Sequence, residues 1–199
     1  MPNAPYYGFY VLDTAKLTLD SVVASSNDTL VFGAGQETIV IRNCDLTTSY
    51  PIYHNGSTSP ATLSIFDSYI KGGVYCSNAS LPGRERQTLT IENSTIEGPT
   101  AVEFKHTDAT ITNCTLVGTD TPTDSGSNNN GSCTSGYAVA VTTNAVDDYV
   151  TGNVVIDNCK VYSGSVGEEE NGYYFVYRVA DGFSVTIDGE EVSDYNTYG

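Results

Sequence analysis

Four residues of this chain have the types needed for acid–base chemistry on a sugar polymer: Glu103, Lys105, His106 and Arg178. A carboxylate beside a basic group can exchange a proton with a reacting ring carbon or a leaving oxygen. Hydrolysis of a glycosidic bond needs a second carboxylate facing the first, and none is evident beside Glu103. Tyr53, Tyr75 and Tyr174 offer a different chemistry, because sugar rings pack their C–H faces on aromatic side chains. With Glu103 and Arg178 they form a candidate ligand-binding set that requires no turnover.

These residues share one kind of segment. All but His106, which directly follows one, fall in the short alternating runs Pro51-Ile52-Tyr53-His54, Gly73-Val74-Tyr75-Cys76, Ala101-Val102-Glu103-Phe104-Lys105, Tyr137-Ala138-Val139-Ala140-Val141 and Tyr173-Tyr174-Phe175-Val176-Tyr177-Arg178-Val179. Alternation turns Ile52, Val74, Val102, Phe104, Val139, Val141, Phe175 and Tyr177 inward. The outward set is then Tyr53, Tyr75, Glu103 with Lys105, Ala138 with Ala140, and Tyr174 with Arg178.

Each of these runs follows a stronger signal, apolar-x-apolar-x-(Asn/Asp)-(Cys/Ser)-x-apolar. It reads Ile39-Val40-Ile41-Arg42-Asn43-Cys44-Asp45-Leu46, Leu63-Ser64-Ile65-Phe66-Asp67-Ser68-Tyr69-Ile70 and Leu89-Thr90-Ile91-Glu92-Asn93-Ser94-Thr95-Ile96. It returns as Ala109-Thr110-Ile111-Thr112-Asn113-Cys114-Thr115-Leu116 and Val154-Val155-Ile156-Asp157-Asn158-Cys159-Lys160-Val161. Leu17 to Val22 reads as a shortened first copy and Val185 to Val192 as a degenerate last one, with Gly189 at the Asn position. A spacing of about 20 to 26 residues, stretched between Asn113 and Asn158, is the mark of stacked units with insertions at fixed corners. Alternation within each unit excludes helical repeats. Residues 117–136 hold no alternating apolar run, so the long interval reads as one coil carrying a loop.

In this pattern the chain resembles the right-handed parallel β-helix proteins of the pectate-lyase-like superfamily, over residues 15 to 192. The resemblance implies an all-β fold, a single-stranded right-handed parallel β-helix of about seven coils. It leaves function open, because enzymes, adhesins and phage tail proteins share the scaffold. Polysaccharide lyases of that superfamily use clustered Asp/Glu for Ca²⁺ and an Arg or Lys base, and no such catalytic motif is recognisable here. Stacking would place Asn43, Asp67, Asn93, Asn113 and Asn158 in one column of paired amides. Cys44, Ser68, Ser94, Cys114 and Cys159 would follow as an inward column of small side chains.

The domain plan expected from this is a cap over residues 1–14, the β-helix over 15–192 with insertions at 117–136 and 162–172, and a tail over 193–199. The aromatic-rich start, with Tyr6, Tyr7, Phe9 and Tyr10, would shield the first open end. The tail is too short to cover the other end, which suggests a further domain or a second copy of the chain there.

Composition narrows the partners. A net charge of −16, from 24 acidic and eight basic residues, argues against nucleic acid and anionic membrane surfaces. No stretch approaches the roughly 20 apolar residues of a membrane span. Met1-Pro2-Asn3-Ala4-Pro5 lacks the basic start and apolar run of a signal peptide. The acidic, Thr/Ser/Gly-rich sequence points to an extracellular or cell-surface setting, with a polysaccharide or a cell-surface protein as partner. No cofactor is called for, with Ca²⁺ a weak alternative: Asp120 with Asp124, or Glu168-Glu169-Glu170, could collect it, but neither has the spacing of a calcium loop. Of five Cys, three share the inward repeat position and read as buried thiols; a Cys114–Cys159 bridge between adjacent coils would be strained.

Overall fold

The computed structural model describes residues 7–54, 60–76, 85–119, 123–124, 134–135, 137–141, 152–163, 170–171, 174–176, 183–192 and 196–198. The chain winds into a parallel β-solenoid with three sheets rather than two strands per turn. The first sheet carries the alternating runs of the repeat: Lys16–Asp20, Thr38–Arg42, Thr62–Phe66, Gln87–Glu92, Thr107–Thr112, Gly152–Asp157 and Phe183–Ile187, ending on Glu190–Glu191. The second holds the residues just after the turn Asn: Val23–Ser26, Asp45–Thr48, Tyr69–Lys71, Thr95–Gly98, Thr115–Gly118 and Lys160–Ser163, ending on Glu170–Asn171. The third consists of Phe9–Asp13, Val31–Gly35, Ile52–His54, Val74–Cys76, Val102–Phe104, Val139–Val141 and Tyr174–Val176, ending on Asn196–Tyr198. No helix among the described residues is long and apolar enough to cross a membrane.

Register explains the core. Ile39, Leu63 and Leu89 stack in one column of the first sheet and Ile41, Ile65, Ile91 and Ile111 in the next, all fully buried. Leu46, Ile70, Ile96 and Leu116 do the same from the second sheet. Each such side chain contributes about 1.5–3 kcal/mol by leaving water, which one turn alone could not achieve. Regular, fully cored winding extends over about four turns, fewer than the seven expected. The outer turns are looser, with Leu17, Val22, Cys159, Val161 and Ile187 only partly buried.

The corner between the first and second sheets is the repeat's Asn. Asn43, Asp67, Asn93, Asn113 and Asn158 all adopt positive φ, between 47° and 55°. Among residues with a side chain, Asn and Asp enter this left-handed region at least cost. The amide ladder also forms: Asn158 Nδ2 donates to Asn113 Oδ1 at 2.7 Å, and Asn113 Nδ2 to Asn93 Oδ1 at 3.3 Å. It is continuous across the long interval, so that interval is a single coil. Asp67 has no amide to donate and breaks it.

The small residues that follow do more than fit. Cys44, Ser68, Ser94, Cys114 and Cys159 each donate to the carbonyl two residues back. Ser68 and Ser94 Oγ also accept the backbone N–H of Cys44 and Ser68 on the neighbouring turn. The hydroxyl or thiol thus closes the turn's backbone hydrogen bonds. All four described cysteines are free thiols.

Both ends differ from expectation. Phe9–Asp13 is no separate cap; it pairs in parallel with Val31–Gly35 as the first strand of the third sheet. At the other end, Phe183–Ile187 joins the parallel stack beside Gly152–Asp157, as expected of a last copy, but the chain then reverses instead of turning into the second sheet. Asp188 and Gly189, with φ of 48° and 82°, form a two-residue turn between Phe183–Ile187 and the antiparallel Glu190–Glu191. Asp-Gly is the dipeptide that this hairpin turn favours. Glu170–Asn171 and Asn196–Tyr198 also pair antiparallel, so the tail closes the third sheet. Within the first insertion, Thr123–Asp124 pairs antiparallel with Thr134–Ser135.

Candidate functional site

The outward face of the third sheet carries a column of aromatic rings. Tyr10, Phe32, Tyr53 and Tyr75 occupy one register position on successive strands. Ring centroids lie 5.2 Å apart for Tyr10 and Phe32, 4.9 Å for Phe32 and Tyr53, and 5.0 Å for Tyr53 and Tyr75. Tyr7 adds a ring 5.3 Å from Tyr10. The Phe32 and Tyr53 planes are within 2° of parallel, which at that separation requires overlapping, offset faces, like roof tiles. The column sinks along the axis: Tyr10 is 55% exposed, Phe32 and Tyr53 are half-buried, and Tyr75 is 4% exposed. Glu103 and Ala140 continue the same register position, fully enclosed.

The acid–base residues are therefore not on an open face. Glu103 is 2% exposed, and Lys105 and His106 are buried at the end of its strand. His106 has a positive φ of 44°, a turn residue whose carbonyl accepts the Gln87 N–H at 3.3 Å. Ala138 and Ala140, read as an outward hollow, are both buried. Tyr174 pairs with Val139 and so shares the register position of Val74 and Val102; Phe175 takes that of Glu103 and Ala140. Arg178 and the calcium candidates Asp120, Glu168 and Glu169 lie outside the described residues, as does Cys133. Among the described residues, no three His, Cys, Asp or Glu gather as metal ligands.

Where the column becomes buried, two pockets open at the corner between the second and third sheets. One, of about 130 Å³, has mainly apolar walls from Pro51, Val74, Tyr75 and Pro99, with Thr100 and Glu103 also lining it. The other, of about 110 Å³, is lined by Thr48, Ser49, Lys71, Glu97 and Thr119. Gly72 and Pro99 belong to both. The backbone there is crowded: a Cβ on Gly98 would lie 2.8 Å from the Gly73 Cα. Gly72 and Gly73 both take positive φ.

Glu97 is the electrostatic centre of the second pocket. Its Oε1 is 3.1 Å from Lys71 Nζ, and its Oε2 accepts the Tyr69 hydroxyl at 2.8 Å. Burial, then the hydrogen bond to Glu97, pushes the Tyr69 phenol up to about 12. It stays a donor to the carboxylate throughout the physiological range. These three residues had no signal of their own in the sequence: Tyr69 and Lys71 stand a whole repeat away from Glu97, and only stacking brings them together.

A third group lies inside the solenoid. Glu37 and His54 are fully buried, with His54 Nε2 3.2 Å from Glu37 Oε1. Cys76 Sγ is 3.9 Å from His54 Nδ1. The order thiol, imidazole, carboxylate is that of a nucleophilic triad, but the environment is a core. Burial, then the Glu37 carboxylate, pushes the Cys76 thiol up, opposite to what a nucleophile needs. Gly33 makes the room, since a Cβ there would collide with the Glu37 carboxylate.

Compared with known family models, curated proteins and solved structures, the chain matches none.

Proposed function

We propose that this solenoid is a non-catalytic module that binds a polysaccharide through the outward face of its third sheet, in a secreted or cell-surface protein. The column of Tyr10, Phe32, Tyr53 and Tyr75 supports this reading. It places three exposed or partly exposed rings, Tyr10, Phe32 and Tyr53, on consecutive levels above the buried Tyr75, which lines a corner pocket. The levels extend over about 14 Å at the spacing of parallel strands, long enough for several sugar units. The burial of Glu103, Lys105 and His106 favours binding over turnover. Membership of the pectate-lyase-like superfamily is part of the proposal, supported by the left-handed Asn column and the parallel stack.

A glycan array probed with the wild type, Tyr53→Ala and Tyr10→Ala tests the reading. Binding that falls at least about tenfold in both variants supports it, since a lost aromatic contact is worth about 1–3 kcal/mol. Binding that ignores both variants, or no binding at all, removes it. The alternative is a polysaccharide lyase or glycoside hydrolase, favoured by Glu97 and Glu103 edging two adjoining pockets. Release of unsaturated or reducing ends from a polysaccharide, abolished in Glu103→Gln, would establish it.

Self-association is a second partner proposal, supported by exposed Phe9, Tyr10, Leu12 and Val23 at the first turn. A strict monomer by light scattering at high concentration counts against it.

A further inference from the structure

The two corner pockets share a wall but differ in chemistry, and a sugar ring has the same duality. Its hydroxyl edge donates and accepts hydrogen bonds, while its C–H face is apolar. Pro51, Val74, Tyr75 and Pro99 supply the apolar side, and Lys71 and Glu97 the polar one.

The polar pocket is selective through its charges. Lys71 and Glu97 are held 3.1 Å apart, comparable with the separation of oxygens on neighbouring ring carbons. Each keeps capacity after binding the other: a carboxylate oxygen has further lone pairs, and an ammonium has three donors. The Glu97 side chain is 11% exposed, with its second oxygen fixed by Tyr69, while the Lys71 side chain is 51% exposed. Glu97 is the anchored acceptor and Lys71 the accessible donor. A carboxylate ligand would meet Glu97 and the chain's charge of −16, and a cation would meet Lys71. A neutral vicinal diol satisfies both, donating one hydrogen bond to Glu97 and accepting one from Lys71. At about 110 Å³ the pocket greatly exceeds the roughly 10–15 Å³ that admits a single water.

We infer that this corner is a subsite for one neutral hexose or pentose unit. Glu97 and Lys71 hold two adjacent hydroxyls, and Pro51, Val74, Tyr75 and Pro99 seat the C–H face. The inference rests on the glycan-binding reading above and gives it a sugar class and a specificity device.

Titration calorimetry with cellotetraose, xylotetraose, mannotetraose and tetragalacturonate, on the wild type, Lys71→Met, Glu97→Gln and Tyr53→Ala, tests it. The expected result is that a neutral tetraose binds and tetragalacturonate binds more weakly. Lys71→Met and Glu97→Gln should each weaken the neutral probe about tenfold or more, as loss of a charged hydrogen bond does. Their double variant should lose little beyond either single one, since both hold the same diol. Lys71 is half-exposed, so its variant remains a valid test if Glu97→Gln fails to fold. If Tyr53→Ala abolishes binding while Lys71→Met and Glu97→Gln leave it intact, the polysaccharide reading stands and this subsite is wrong. Preference for tetragalacturonate overturns the neutral assignment. If none of the four binds, both readings fall.

Discussion

Two columns run the length of this solenoid and follow opposite rules. At the first corner, level after level repeats one solution: a left-handed Asn or Asp, then a thiol or hydroxyl donating two residues back. On the third sheet, one register position reads Tyr10, Phe32, Tyr53, Tyr75, Glu103, Ala140 and Phe175. The corner repeats because its backbone leaves few residues a choice. The outward face of the third sheet imposes no such demand, so its residues record what that face meets. In a stacked repeat, uniformity marks mechanical need and variation marks the site.

The sharpest test of that contrast lies within the third sheet. Removing one partner of the Glu37–His54 pair, by Glu37→Ala or His54→Ala, should cost about 3–5 kcal/mol in urea unfolding. Replacing both with apolar residues of similar volume should recover most of the loss. If the single variants cost under about 1 kcal/mol, the pair is better hydrated than its burial implies.

Gly98→Ala comes next, at about 1–3 kcal/mol for overpacking against backbone. Because the corner floor would shift, it should weaken glycan binding as well. Asn93→Ala should cost about 1–2 kcal/mol for a left-handed Ala, whereas Asn93→Gly should cost less. An Asn93→Ala protein as stable as the wild type would break the claim that conformation dictates the column.

The smallest effect belongs to Tyr69, whose phenol is raised from 10 to about 12. The Tyr69–Glu97 contribution is fully present below pH 10 and is lost as pH rises towards 12. For a group that is only partly buried it amounts to roughly a few tenths of a kcal/mol. The stability gap between wild type and Tyr69→Phe should close over that window. A gap that persists unchanged would show that the ring's packing, not its proton, supplies the difference.

Thiol reactivity offers a related contrast inside the repetitive column. Contact with the Cys114 side chain holds the Cys159 thiol low, while the same contact, with burial, pushes Cys114 up. Iodoacetamide should label Cys159 well before Cys114, as read by peptide mass.

Much of the scaffold was legible in the sequence because alternation and spacing are properties of neighbouring residues. Ile39 and Ile41, Leu89 and Ile91, and the turn Asn residues announce themselves within eight positions. The second sheet did not, since strands as short as Tyr69–Lys71 cannot show a period. Tyr10 and Phe32 escaped the aromatic set for a related reason. In Val31–Gly35 the Gly-Ala-Gly end hides the alternation, and Phe9–Asp13 read as a cap. Lys71 and Glu97 meet only through register, which no local pattern encodes. The pairing of Val185 and Ile187 with Val154 and Ile156 was legible, but the resemblance of Asp188-Gly189 to the Asn column hid the reversal that follows.

That turn also bears on the order of folding. Every parallel pairing in the three sheets joins strands a full coil apart, so each must close a long loop before any contact rewards it. The Thr186–Glu191 hairpin closes over two residues and forms on its own in about 1–10 μs. It is a cheap nucleus in chain entropy, yet ribosomal synthesis delivers it after the parallel strands of residues 9–176. The early turns must wait or pair slowly, and a refolding chain released whole can start from the opposite end.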